Sequence, residues 1–183
     1  LWTAISECAG FNVAQIMDSW CLKVGFPVVK VESRDGNVLK LSQSRFFSGG
    51  EESKEDHLWS IPLHGCNEKG EVTSALFNSQ KCDFTCGGEY VKLNAGQTSF
   101  VRVNYDEKGW KALQAPISSL ALPAVDRLGV IMDAFALAKA GMMSTAVTLD
   151  LCKAYKNENC YPVWSALASG LSEVTEICSG APF

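Results

Sequence analysis

Residues Thr98–Trp110, TSFVRVNYDEKGW, carry the change of period that decides the fold. Phe100, Arg102 and Asn104 alternate with Val101, Val103 and Tyr105, a repeat of two that marks a β-strand. Asp106 follows as a helix N-cap, with Glu107 in the first turn. A sheet therefore ends here and a helical region begins. Arg102, Asn104, Asp106 and Glu107 crowd the junction, so the stretch is either an active site or a joint between two layers.

Upstream of the junction the period stays at two. PVVKVE, NVLKLSQSRFF, LWSIPLHG, EVTSALFN, KCDFTC, YVKLNA and TSFVRVNY read as short strands. Turn sequences such as RDGN, SGGEESKED, NEKG and NAGQ separate them. Such strands predict an antiparallel β-sandwich over residues 26–105. Ser48 to Asp56 is its most polar loop and is expected to be its most mobile.

Before the sandwich, residues 1–25 read as helical. Val13, Ile16, Met17 and Trp20 form one apolar stripe, with Asn12 as N-cap and Gly25 as stop. Within these residues, only the short turn LWTAISECAG could cover the stripe.

Downstream, residues 106–183 return to helical spacing. Val125, Leu128, Met132 and Phe135 mark one face of a helix that opens at Pro123 and ends at Lys139 and Gly141. Further helices are expected from Thr145 to Lys156 and from Pro162 to Cys178, stacked as antiparallel neighbours. SGAPF reads as a frayed end or a truncated array. The fold class expected is a mixed, multidomain fragment: a short helical segment, an antiparallel β-sandwich, then the opening of an α-solenoid-like array.

The chain of 183 residues is 47% hydrophobic and 20% charged, enough to bury a core in one or two domains. A net charge of −4 without a basic run argues against nucleic-acid or anionic-membrane partners. No apolar run approaches the roughly 18 residues of a membrane span. The start at Leu1, without a basic region ahead of an apolar core, is not a signal peptide and reads as a piece of a longer protein. No Asn-x-Ser/Thr site occurs, and the eight cysteines are expected as buried thiols of a cytoplasmic protein rather than disulfides.

Motifs for chemistry are sparse. The two histidines, His57 and His64, begin no His-Glu-x-x-His, and no Gly-x-Ser-x-Gly elbow or phosphate-binding loop occurs. His64, Cys66, Cys82 and Cys86 form the one soft-ligand set for a zinc-stapled structural protein. Cys82 and Cys86 stand four apart in a strand pattern, about 13 Å along it, so a bulge or turn would be needed to bring both to one ion. The five tryptophans suit interlayer packing better than a sugar-binding face.

Taken in order, NVAQIMDSWCLKVGFPVVKV, LSQSRFF, WSIPL, FVRVNYDEKGW and DRLGVIMDAFALAKAG to LDLCKAYKNENCYPVW resemble the gluzincin aminopeptidases, peptidase family M1. The resemblance covers Leu1 to Trp164 at least. It implies that residues 1–25 are the last helices of a catalytic domain, 26–105 a β-sandwich domain and 106–183 the start of a C-terminal helical domain. The parent would be a zinc metalloprotease, a hydrolase that removes N-terminal residues from peptides, in which one zinc activates water. The family's His-Glu-x-x-His, its later Glu ligand, Gly-x-Met-x-Asn and catalytic Tyr have no counterpart here. No catalytic, cofactor or metal residue is carried over, and Glu7, Asp18 and Tyr105 are not promoted to those roles. The chain alone is expected to be inactive, without a cofactor of its own, and to link the catalytic and helical domains. The junction then reads as a joint, with Arg102 and Asn104 satisfying backbone and carboxylate groups. A stand-alone sandwich presenting a binding surface is the other alternative. The apolar stripe predicts self-association of the isolated chain.

Overall fold

A computed structural model describes residues 1–50 and 57–179. Much of the polar Ser48–Asp56 loop, and SGAPF from residue 180 onward, lie outside these. The described residues fall into two compact units: the first holds residues 1–47 and 57–103, the second residues 104–179 together with Ser48 to Gly50.

The first unit opens with helix α1 (Trp2–Ala9), then α2 (Val13–Cys21). LWTAISECAG is thus a helix rather than a turn, closed by Gly10 in the left-handed region at φ 75°. Asn12 caps α2 as expected, its side chain accepting from the Gln15 backbone N–H at 3.3 Å. The helix stops at Cys21, short of Gly25. Gly25 does other work: it sits at φ 93°, and a Cβ there would stand 2.6 Å from Arg45 Nε.

The apolar stripe of α2 is half-buried rather than bare. The Trp20 indole N–H donates to the Ser60 carbonyl at 2.9 Å, and Ser19 Oγ accepts from the Ser60 N–H at 3.0 Å. The Lys23 ammonium donates to the Leu58 carbonyl. Hydrogen bonds to the segment before the third strand thus hold α2 in place.

Seven strands follow: β1 (Pro27–Asp35), β2 (Val38–Arg45), β3 (Ile61–Asn67), β4 (Val72–Phe77), β5 (Lys81–Thr85), β6 (Val91–Leu93) and β7 (Arg102–Asn104). They form a four-stranded sheet, β5-β2-β1-β7, and a three-stranded sheet, β4-β3-β6. The pairs β1–β2, β2–β5, β3–β4 and β3–β6 are antiparallel. Alternation places Val29, Val31, Leu39 and Leu41 of one sheet and Ile61, Leu63 and Leu93 of the other in a common core. Gly65 lets the layers close, because a Cβ there would meet the Phe84 ring at 2.6 Å. Gln43 is buried between the sheets. Its amide donates to the carbonyls of Trp59 at 3.0 Å and Ser79 at 2.9 Å, while its oxygen accepts from the Trp59 N–H at 2.9 Å. One side chain thereby satisfies backbone groups that the sheets leave open.

The second unit is helical: α3 (Glu107–Ser118), α4 (Ala124–Lys139), α5 (Thr145–Cys152), a 3₁₀ stretch Lys153–Asn157, and α6 (Tyr161–Cys178). The face expected to bury α4 is wrong. Val125 and Met132 are 44% and 43% exposed. The buried side chains are Asp126, Arg127, Val130, Ile131, Asp133, Ala134 and Leu137. Asp126, Arg127 and Asp133 share that face with the apolar side chains, and hydrophobic periodicity does not register them.

Candidate functional site

The junction has the geometry of a chain crossing from sheet to helix. β7 is shorter than the alternation suggests, but Val101, Val103 and Tyr105 are buried while Phe100 is 71% exposed. Asp106 Oδ1 accepts from the Gly109 N–H at 2.9 Å and caps α3. Tyr105 packs edge-on against Trp110, centroids 5.1 Å apart. Asn104 is buried and donates to the Met142 carbonyl at 3.3 Å. These contacts fix backbone and fill core.

The zinc set disperses. His64 and Cys66 lie on β3 of the three-stranded sheet, and Cys82 on β5 of the other. His64 Nδ1 and Ser74 Oγ, opposite each other on β3 and β4, are 2.7 Å apart in a hydrogen bond. Cys86 is buried, its N–H donating to the Asn37 carbonyl at 2.8 Å. Burial, with the Asp83 charge second, pushes the Cys82 thiol up to about 11, so it is protonated at neutral pH. Among the described residues no three His, Cys, Asp or Glu side chains gather as a metal group. The zinc-staple alternative is overturned by this geometry. All eight cysteines, every one within the described residues, are free thiols.

The His64–Ser74 pair has two members of a nucleophilic relay but no bonded carboxylate to orient the ring among the described residues, and it lies on exposed sheet surface. His57 lies edge-on to Trp59 at 5.9 Å. The tryptophans do not form a platform: Trp59 and Trp110 are buried, Trp2 and Trp20 half-buried, and Trp164 is exposed with its N–H bonded to the Glu158 carbonyl. Glu7 and Asp18 are exposed on α1 and α2.

The most constructed polar site was not anticipated as such. Arg127, in the first turns of α4, meets Glu158, just before α6, through two parallel bonds: Nε to Oε2 at 2.6 Å and Nη2 to Oε1 at 2.7 Å. Their side chains are 6% and 0% exposed. Arg127 Nη1 also donates to the Leu122 carbonyl at 2.5 Å, and the Tyr155 hydroxyl donates to the Arg127 carbonyl at 2.7 Å. Glu158 Oε1 accepts further from the N–H groups of Asn159 at 3.0 Å and Cys160 at 2.8 Å. The Arg127 guanidinium, with those N–H groups, holds the Glu158 carboxyl below the ordinary glutamate range. Burial pushes the Tyr155 phenol up. The sequence signal was a charge on an otherwise buried helix (DRLG) and a lone acid in NENC. Neither reveals its partner 31 residues away.

Fold and site together define a sheet pair followed by a helical array, held by polar structural networks. Residues 90–182 match the ERAP1-like C-terminal domain, and the chain belongs to that family. Relatives extend the likeness to nearly the whole chain. The puromycin-sensitive aminopeptidase of Caenorhabditis elegans is 36% identical over 95% of the chain, aminopeptidase M1-A of Oryza sativa subsp. japonica 35% over all of it, and the alanine/arginine aminopeptidase of Saccharomyces cerevisiae 30% over 94%. The chain spans only 19%, 22% and 20% of those proteins' lengths. The resemblance to the M1 aminopeptidases read from the sequence therefore holds, for their C-terminal portion.

Proposed function

We propose that this chain is a non-catalytic part of a cytoplasmic zinc aminopeptidase that removes N-terminal residues from peptides. The observation that carries the reading is the similarity, over 95% of the chain, to a protein named as an aminopeptidase of which it spans 19%. In this reading residues 1–25 complete a catalytic domain, 26–105 form the sandwich and 106–183 open the helical domain. The zinc and the general base belong to the remainder of the enzyme, where the metal supplies Lewis-acid activation of water. This chain's contribution is mechanical: it spaces the catalytic and helical domains. Among its described residues no helix is long and apolar enough to cross a membrane.

The test is to purify the 183-residue chain and assay it with aminoacyl-amide substrates, with and without added zinc. The expected result is no amino-acid release and no stoichiometric metal by elemental analysis. Zinc-dependent turnover by the purified chain overturns the proposal.

A further inference from the structure

We propose that the Arg127–Glu158 pair is a latch that holds α6 to the array, and that α6 opens as a separate unit when the latch is broken. Three observations carry this, all internal to the helical unit and independent of any enzymatic role.

The first is how few residues of α6 are buried, although it packs on α4. Of its 18 residues, only Val163, Leu167 and Gly170 are buried, whereas eight of the 16 in α4 are. Tyr161 and Ile177 are 81% and 78% exposed. The ion pair along its flank, Lys139–Glu173 at 3.0 Å, is exposed on both sides and contributes little. Sparse burial places an element at the low-stability end of a fold.

The second is where the latch sits. Glu158 precedes the first turn of α6 and does two jobs with one carboxylate. It accepts the N–H groups of Asn159 and Cys160 at the helix entrance, and it grips the Arg127 fork. Its own carbonyl accepts the Trp164 indole N–H, tying the entrance to the first turn of α6. Losing the pair therefore releases the end of α6 that carries its polar anchorage.

The third is that the other side of the latch is rigid. Arg127 is fastened to the Leu122 carbonyl, and its own carbonyl to Tyr155. On the Glu158 side, Asn157 donates to the carbonyl of Ser118, the last residue of α3, at 2.8 Å, so the chain is fastened up to the residue before Glu158 and α6 begins beyond that point. Arg127 thus presents its fork from a fixed frame, and α6 is the part free to leave.

The test is amide hydrogen exchange, resolved by segment, on the whole chain and on Glu158→Gln. The variant keeps an acceptor for the Asn159 and Cys160 N–H groups while removing the charge. The expected result is exchange at least about tenfold faster across residues 163–171, with α3 and the β1–β2 hairpin unchanged. Equal acceleration of every segment, or none, overturns the proposal. Should the variant not fold, the native chain in graded low urea answers instead. There α6 amides must open before those of α3 and α4, and opening of all three only together overturns the latch.

Discussion

At the scale of the residue, Arg127 and Glu158 bury opposite charges against each other. A bidentate pair with both side chains out of water gains strength from the low local dielectric, but it leaves either partner in difficulty if the other is lost. The sign of its pH dependence follows from Glu158. Its carboxyl is held below the ordinary glutamate range by Arg127 first, so the pair's stabilisation is complete above that range, about pH 4.3, and disappears as pH falls through the lowered value. Arg127 stays charged throughout. Unfolding by urea at pH 7, 4 and 3 should therefore show the native chain losing more stability on acidification than Glu158→Gln. At pH 7 the variant's loss should be confined to the opening of α6 and leave α3 unmoved. Parallel pH profiles for the two proteins would refute the assignment, because their other carboxylates are shared.

At the scale of the element, local chemistry was legible and long-range pairing was not. The caps Asn12 and Asp106 were readable because a cap involves residues only three apart, and both bond as their sequence position implies. The strands were readable because alternation is a property of each strand alone. The burial of α4 was not, since it is set by partners elsewhere. Arg127 and Asp126 can face inward only because the fold satisfies them, and Val125 and Met132 can face outward because isolated surface apolar groups are tolerated. Gln43 was missed for the same reason: its partners are backbone groups of Trp59 and Ser79. At the junction, Asn104 and Asp106 bond backbone groups, as polar residues placed there imply. A close approach was equally hidden. Gly170 of α6 faces Phe135 of α4, and a Cβ there would stand 2.3 Å from the ring. Gly170→Ala should lower stability by about 1–3 kcal/mol as the ring is displaced. Thermal unfolding with no loss would show that Phe135 can swing clear.

At the scale of the whole molecule, the helical start is one region that exposes large apolar side chains. Leu1, Phe11, Leu22 and Val24 are 86%, 57%, 78% and 72% exposed, while the α2 stripe thought to be bare is half-buried. Self-association remains the expectation, carried now by these residues. Light scattering over a concentration series should show mass rising, and Phe11→Ser with Leu22→Ser should reduce the rise; a constant monomer mass argues against it. The thiols have a practical consequence. Cys8, Cys21 and Cys178 are exposed, while Cys82 is kept protonated and Cys86 is buried. Alkylating dyes should therefore reach α1, α2 and α6 before the sheets. The native sequence already carries attachment points in each of the two compact units, and energy transfer between dyes placed there would report how those bodies move without a cysteine being engineered in.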